Sequence, residues 1–562
     1  MMTLPRLRAL ALASMATLAS TASAIDKPDV DRVLSTAREE NLAMDHLDHL
    51  VNRIGPRLTG SDGLQDASEW ARDRFKSFGI DNARLEKWGE FPVGFNRGPA
   101  TGRMVEPSVQ ALMFGTNSWS AGTRGVVRGP AILAPSDEGE LAAIKDRLPG
   151  AWVLIPTGTP GPRGGQGPDA EFRKKLDAAY TEAKVAGLVR GTRNDLILTA
   201  GSYQLAWDKL PTIPSINLLK GNFDELVGLI KGGKPVVLEF DIRNYFKKGP
   251  IPLYNVIADI PGTEFPDEYV IVGGHLDSWD GATGTCDNGT GCSTTLEAAR
   301  ILMKSGVKPR RTIRFMLWSG EEQGLLGSRA YVQANPDLMK KISAVLVHDG
   351  GTNYLSGLNV TKAMKGDIDA ALAPLVGLDP SLPFAIREIA GLPRGIGSDH
   401  DSFLTAGVPG FFWRQSGKAN YQHVHHTQFD TYDQAVPEYQ KHSSVVVALG
   451  ALGVADLDHA LSRENLAAPA RGGPGGGAGA RRTSGLRLED LKVSEIVEGS
   501  PAEKAGFKVG DVVAKVAGKA VTSREEYMEA LMAAGQEIAV GVKRDGQDVE
   551  LKLTFPAPPS QP

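Results

Sequence analysis

The sequence predicts an α/β protein: a mixed, mostly parallel sheet sandwiched by helices, interrupted by a β-rich insert and followed by a small C-terminal domain. Three observations predict it. Between residues 246 and 460, near-continuous apolar runs such as "EYVIVGG", "RTIRFMLWS" and "ISAVLVHDGG" alternate with amphipathic stretches such as "GCSTTLEAARILMKSG" and "GSRAYVQAN". Strands without polar alternation are buried on both faces, which calls for helices on each side of the sheet. Between 113 and 245 the texture changes to short β-branched runs cut by Gly and Pro, and a chain of 562 residues is too long for one core.

Taken in order, residues 1–24, "MMTLPRLRALALASMATLASTASA", have a basic start, an apolar stretch too short to span a bilayer and Ala22-Ser23-Ala24 before the polar Asp26. This is the layout of a secretory signal peptide, and a secreted or periplasmic location is expected. Residues 25–112 open the main domain with helical periodicity in "DVDRVLSTAREENLAMDHLDHLVNRIG" and "DASEWARDRFKSFGI", joined by the turn cluster "GPRLTGSDG". The insert covers 113–245, with "AWVLIP" and "LEFDI" as strands and "EAKVAGLVRG" as a helix leading to a strand. The main domain resumes over 246–460 and closes on a helix in "PEYQKHSSVVVALGALGVADLDHAL". Residues 461–484, with "APARGGPGGGAGARRTSG", read as a flexible linker, and 485–556 as the final domain.

Composition narrows the classes of function. The apolar fraction of 41% and charged fraction of 23% are those of a globular chain, and no segment beyond the N-terminus is apolar for long enough to span a bilayer. The net charge is −4, or about −6 without the leader's Arg6 and Arg8, so neither nucleic acid nor an anionic membrane is an expected partner. Cys286 and Cys292 are the only cysteines. They pair across a short loop or stay as small buried residues, and the sequence leaves both open.

In open α/β sheets, functional side chains gather beyond the C-terminal ends of the strands. His275 and Asp277 follow "EYVIVGG", Glu321 and Glu322 follow "RTIRFMLWSG", and Asp349 follows "ISAVLVH". Imidazole and carboxylate are the donors for a zinc-like ion at about 2.0–2.2 Å, and two such ions about 3.5–4 Å apart can share a carboxylate. Asp287, at the start of "DNGTG", suits that bridge because the glycines around it let the backbone fold tightly. Alone, each residue has a plainer reading: a hydrogen-bonded structural His or Asp, or a Glu pair at a solvated helix start. Their joint order at strand ends points to chemistry. In "HVHHT" the spacing does not choose among His423, His425 and His426; Asp430 is either a support for the site or a helix cap, and Asp399 and His400 of "GSDHDSF" either approach a substrate or form a local network.

Together, "GGHLDSWD", "DNGTG", "EEQGLLGS", "HDG" and "VHHTQFDT" resemble, over about residues 30–460, the motifs of the di-zinc exopeptidase family (clan MH metallopeptidases) that contains bacterial aminopeptidases and carboxypeptidase Q. The resemblance implies the zinc exopeptidase fold and two Zn2+ per chain. His275 and Asp349 would hold one ion, Glu322 and His426 the other, and Asp287 would bridge them. It further implies Glu321 as general base, Asp277 accepting the second ring proton of His275, and a cis peptide at Asp287-Asn288. The reaction implied is hydrolysis of small peptides, with aminopeptidase action placed first and carboxypeptidase Q-like carboxypeptidase or dipeptidase action second. In the second case, Arg394 and Arg414 are candidates to bind a substrate carboxylate.

A non-catalytic peptide-binding protein on this scaffold would have lost ligands, a one-zinc cyclotransferase would lack His275, and a serine hydrolase would need a G-x-S-x-G elbow that the chain does not contain. The insert resembles a protease-associated domain. The C-terminal "GSPAEKAGFKVGD" resembles a PDZ domain, a fold that takes peptide C-termini as an added strand, and its carboxylate loop would fall near Gly485 to Leu488.

Overall fold

The computed structural model describes residues 23–156, 170–466 and, in the C-terminal unit, 484–555 apart from 490, 497–499, 522–525, 528–529 and 532–536. Residues 1–22 of the expected leader and 467–483 of the expected linker lie outside the described residues. The chain divides into two units, Met1–Pro469 and Ala470–Pro562.

In the first unit the N-terminal helices are Lys27–Glu39, Ala43–Asp48, continued by a wider turn to Ile54, and Asp62–Ser77. The last begins where the Ser61 hydroxyl accepts the Leu64 N–H, which satisfies one of the first turn's free donors. Fifteen strands are described in this unit. They are β1 (Arg84–Glu106), β2 (Gln110–Ala111), β3 (Phe114–Thr116), β4 (Val127–Leu133), β5 (Trp152–Ile155), β6 (Gly187–Gly191), β7 (Ser215–Leu218), β8 (Val237–Ile260), β9 (Phe265–His275), β10 (Arg311–Trp318), β11 (Ile342–Val347), β12 (Tyr354–Thr361), β13 (Ala385–Ile389), β14 (Gly410–Phe412) and β15 (Arg414–Ser416).

One sheet runs β14-β11-β9-β10-β8-β4-β5-β6-β7-β3, with β1 also paired to β8. Strands β14, β11, β9 and β10 are parallel to one another, and β8 joins β10 antiparallel. The apolar runs alternate between two cores, with a register shift at the start of β11. Val270 and Val272 of β9, Ile313, Phe315 and Leu317 of β10, and Ala344 and Leu346 of β11 face the core formed with the helices Asp62–Ser77, Thr290–Ser305 and Pro437–Ala455. Ile271, Met316, Trp318, Val345 and Val347 face the other core, against Tyr331 of the helix Leu326–Ala334 and Phe403 of His400–Thr405. Burial on both faces explains why these strands read as unbroken apolar runs.

The insert is joined by strands rather than by loops. β1 and β8, of 23 and 24 residues, pair antiparallel from Arg84↔Ile257 to Glu106↔Val237, so the expected boundary at 245/246 falls inside β8. Within the insert, β4, β5, β6 and β7 are parallel, and the helices Ala170–Ala183 and Lys220–Lys231 pack on opposite faces. It is therefore a small helix-flanked layer, because "AWVLIP" is also buried from both sides. The main domain also runs past residue 460: Leu461 and Leu466 are buried in its core, and the Leu466 carbonyl accepts the Leu392 N–H.

The second unit contains β16 (Leu486–Glu489), β17 (Lys492–Ile496), β18 (Val512–Val516), β19 (Lys519–Ala520), β20 (Glu537–Arg544) and β21 (Gln547–Thr554), in the order β16-β17-β18-β20-β21. Its core includes Val493, Phe507, Val513, Val540 and Leu553, and Arg544 grips Asp511 with two bonds of 2.7 Å.

Candidate metal centre

The chain reverses direction across the sheet at β9, with β10 on one side and β11 on the other. This switch point opens a crevice at the carboxyl ends of the three strands. His275 ends β9, Glu321 and Glu322 follow β10, and Asp349 follows β11. The loop after β9 returns to the crevice as Asp287, through a cis peptide at Asp287-Asn288. Asn288 donates to the His348 carbonyl at 2.8 Å, and a Cβ on Gly274 or Gly291 would stand 2.8 or 2.4 Å from the Asn288 amide. Glycine at these two positions is what lets the loop pass so close.

Asp287 faces both histidines. Its Oδ1 lies 3.2 Å from His275 Nε2 and its Oδ2 3.2 Å from His426 Nε2. His275 Nε2 is also 3.1 Å from Asp349 Oδ1, and His426 Nε2 is 3.0 Å from Glu322 Oε2. Two half-sites result, His275/Asp349 and His426/Glu322, joined by one carboxylate. Among the described residues buried Glu322 Oε1 has no hydrogen bond, and Asp287 Oδ2 meets only imidazole nitrogens, 3.2 Å from His426 and 3.7 Å from His425. Such atoms are costly unless something positive satisfies them.

The electrostatics agree. Burial acts to lower both histidine pKa values, yet Asp349 and Glu321 hold His275 well above its ordinary range, and Glu322 and Asp287 lift His426 to about 10. Burial, then the Asp287 charge, pushes Glu322 up to about 7, and burial with Asp349, Glu322 and Asp399 raises Glu321 against the pull of His275. The donor set, its pairing and its orphaned oxygen fit a pair of dications.

Of the three histidines in "HVHHT", His426 makes the short approaches. His425 is stacked on it at 3.8 Å between ring centroids and stands 3.7 Å from Asp287 Oδ2, whereas His423 stacks on Phe429. His426 has φ 60°, a left-handed conformation that costs a non-glycine residue about 1–2 kcal/mol. Asp430 is no helix cap: its carboxylate accepts the N–H of Cys286 at 2.5 Å and of Asp287 at 3.2 Å, fixing the loop that carries the bridge.

Asp277 departs from its expected role. His275 Nδ1 lies 2.9 Å from the Asp277 backbone carbonyl and 3.7 Å from its carboxylate. The carboxylate instead accepts the N–H groups of Glu321 and Glu322, each at 3.3 Å, and the Thr59 hydroxyl at 2.8 Å. The chain turns after Leu276 so that the nearer acceptor for the ring is main chain, leaving the side chain to hold the Glu321-Glu322 turn.

Both cysteines are free and buried, and Cys292 donates to the His275 carbonyl at 2.9 Å. Burial pushes the Cys292 thiol up to about 12, so it is no nucleophile. Asp399 and His400 are buried, and burial lifts the Asp399 carboxyl to about 7, with His275 opposing and Asp349 and Asp277 reinforcing. Arg414 is buried in β15, while Arg394 is exposed and reaches the Leu404 carbonyl at 3.3 Å.

Arg57 was invisible as a site residue in the sequence. Fully buried, it donates to the carbonyls of Gly55, Leu276, Thr283 and Gly284 and so staples both ends of the Asp277-to-Asp287 loop. Its only signal was its position in the turn cluster "GPRLTG".

The class of protein that this fold and site define is the metallopeptidases. Residues 255–450 match the family model for Peptidase family M28, and residues 467–555 match that for a PDZ domain. It is 28% identical to carboxypeptidase Q of Mus musculus over 431 residues, covering 75% of this chain and 88% of that protein. Carboxypeptidase Q of Homo sapiens is 27% identical, with 76% and 88% covered. A Peptidase M28 precursor from Shewanella amazonensis SB2B superimposes with a TM-score of 0.56 at 26% identity, over 77% of this chain and 97% of that one.

Proposed function

We propose that the chain is a secreted or periplasmic di-zinc exopeptidase that hydrolyses small peptides. The observation that carries this reading is Asp287, whose two oxygens address His275 on one side and His426 on the other. His275, Asp349 and Asp287 would hold one zinc, and His426, Glu322 and Asp287 the second. Bound zinc supplies a Lewis acid for the scissile carbonyl and lowers the pKa of water.

The protein's own groups do the rest. Glu321, its carboxyl raised mainly by burial, takes the proton of the attacking water and returns it to the leaving nitrogen. Asp277 holds the Glu321 backbone in place. Arg57 and Asp430 fix the loop that carries the bridging carboxylate.

For direction of attack, carboxypeptidase Q-like action on dipeptides and short peptides is the reading favoured by the match to carboxypeptidase Q, which spans both the insert and the main domain. Aminopeptidase action, placed first on sequence grounds, is the alternative. Hydrolysis of a free dipeptide, an N-blocked tripeptide and a C-amidated tripeptide by the purified mature chain separates them. Cleavage of the N-blocked but not the amidated peptide establishes a carboxypeptidase, the reverse an aminopeptidase, and cleavage of the dipeptide alone a dipeptidase. No cleavage of any by a zinc-loaded protein would refute the exopeptidase reading.

The PDZ domain is proposed to take a peptide C-terminus beside the edge strand β16. The residues expected to cradle the carboxylate, Gly485 to Leu488, include the first residues of β16.

A further inference from the structure

We infer that residues 195–200 of the insert are a positioning segment for His426, so that the His426/Glu322 half of the metal centre is completed by the insert and not by the main domain alone. The inference rests on the di-zinc reading and goes beyond it by assigning the insert a part in metal binding.

Four contacts carry it. The Thr199 N–H donates to the His426 carbonyl at 2.8 Å. Leu198 and Thr427 form an antiparallel bridge. The Ile197 N–H donates to Gln428 Oε1 at 2.7 Å, and Gln428 Nε2 donates to the Asp195 carbonyl at 3.0 Å. Residues 195–199 thus lie beside 426–428 as a short added strand, with Ile197 and Thr199 buried and Leu198, between them, 57% exposed. The contacts fall on the one metal-competent histidine that has a left-handed backbone, a conformation that reverts unless its surroundings hold it.

The segment is anchored at its other end to the loop that carries the bridging aspartate. The Ser118 N–H donates to the Ala200 carbonyl at 2.9 Å, and the Ser118 hydroxyl donates to Asp280 Oδ1 at 2.6 Å. Arg97 of β1 reaches the same oxygen at 2.8 Å. Thr199 also packs onto the backbone of Gly281, where a Cβ would stand 1.7 Å from its Oγ1 and 2.9 Å from its Cβ. The insert therefore brackets both loops at this half-site. Neither His275 nor Asp349 takes part in the bracket, so loosening it is expected to act most on the His426/Glu322 half-site and to reach the other only through the shared Asp287.

Two variants loosen it without touching a ligand. Gln428→Ala removes both side-chain bonds, and Gly281→Ala drives a methyl group into Thr199. The full chain, stripped of metal and shown to be folded by circular dichroism, is titrated with zinc by calorimetry, with His426→Ala identifying which binding event belongs to that half-site. The expected result is two events in the wild type and a loss of about 10- to 100-fold in affinity, in each variant, at the event that His426→Ala abolishes, with a clearly smaller change at the other. Faster amide exchange across 424–430 should accompany it. Unchanged affinities in both variants, or equal weakening of both events, overturns the inference while the di-zinc reading stands. A wild type that binds no zinc overturns that reading and the inference with it.

Discussion

The carboxylate of Asp277 accepts the backbone N–H of Glu321 at 3.3 Å, so this side chain supports the proposed base while the residue's main-chain carbonyl meets the His275 ring. The other carboxylate oxygen accepts the Glu322 N–H and the Thr59 hydroxyl. In Asp277→Asn one oxygen becomes an N–H donor facing a donor. The expected outcome is a fall in kcat of about 10- to 100-fold with the fold retained, checked by peptide hydrolysis and circular dichroism. An unchanged kcat would show that the Glu321-Glu322 turn needs no such support.

Glu321→Gln removes a base and leaves the proposed ligands in place. Zinc content is expected to match the wild type while kcat falls by about 10²- to 10⁴-fold. Loss of zinc in this variant would make Glu321 a ligand and not the base.

Asp456 receives the Arg310 N–H at 2.9 Å just beyond the helix Pro437–Ala455, and burial pushes its carboxyl up to about 6, with the Arg310 bond opposing. An aspartate in an unfolded chain titrates near about 3.9. The folded pKa is the higher, so the stability linked to this group is complete below about pH 4 and is lost as pH rises through about 6. Asp456→Asn keeps an oxygen for the Arg310 N–H and removes the charge. It is expected to raise stability by about 1–3 kcal/mol at about pH 8, with the gain vanishing near about pH 4. Urea midpoints at the two pH values check this, and an equal gain at both would contradict it.

Deleting residues 470–562 removes the second unit and is expected to leave small-peptide hydrolysis intact, since every residue of the candidate centre lies before it. A cut at 465 is different, because Leu466 is buried in the first unit's core and its carbonyl accepts the Leu392 N–H. Losing that side chain alone costs about 2–3 kcal/mol. Thermal melts and peptide turnover of the two truncations distinguish the cases, and loss of turnover in the shorter deletion would give the C-terminal unit a part in catalysis.

Much of the main domain was legible because its strands are buried on both faces and its helices are amphipathic. "EYVIVGG", "RTIRFMLWS" and "ISAVLV" fall in β9, β10 and β11, and the "GCSTTLEAARILMKSG" helix lies between the first two. The long β1 was not legible. "GFNRGPATG" carries the Gly and Pro of a turn, yet the strand passes through it with a register shift between Arg97 and Ala100 and pairs on with β8. Asp277 was recognised as a site residue, but its spacing from His275 could not tell its carboxylate from its own main-chain carbonyl as the acceptor for the imidazole.

The sequence by itself marked His275, Glu321, Glu322 and Asp349 as neighbours at one sheet edge and left open which histidine of "HVHHT" joins them. Strand periodicity and residue chemistry are local, and together they put His275, Glu321, Glu322 and Asp349 beyond strand ends at one sheet edge, with Asp287 and the "HVHHT" histidines in loops. Only the tertiary structure decided what holds them: Arg57 across the loop, Asp430 beneath Asp287, and the insert's Thr199 against His426. The physical reason is that most of these supports end on backbone N–H and C=O groups. Nearly every residue carries the same pair, so no side-chain pattern marks which of them will meet.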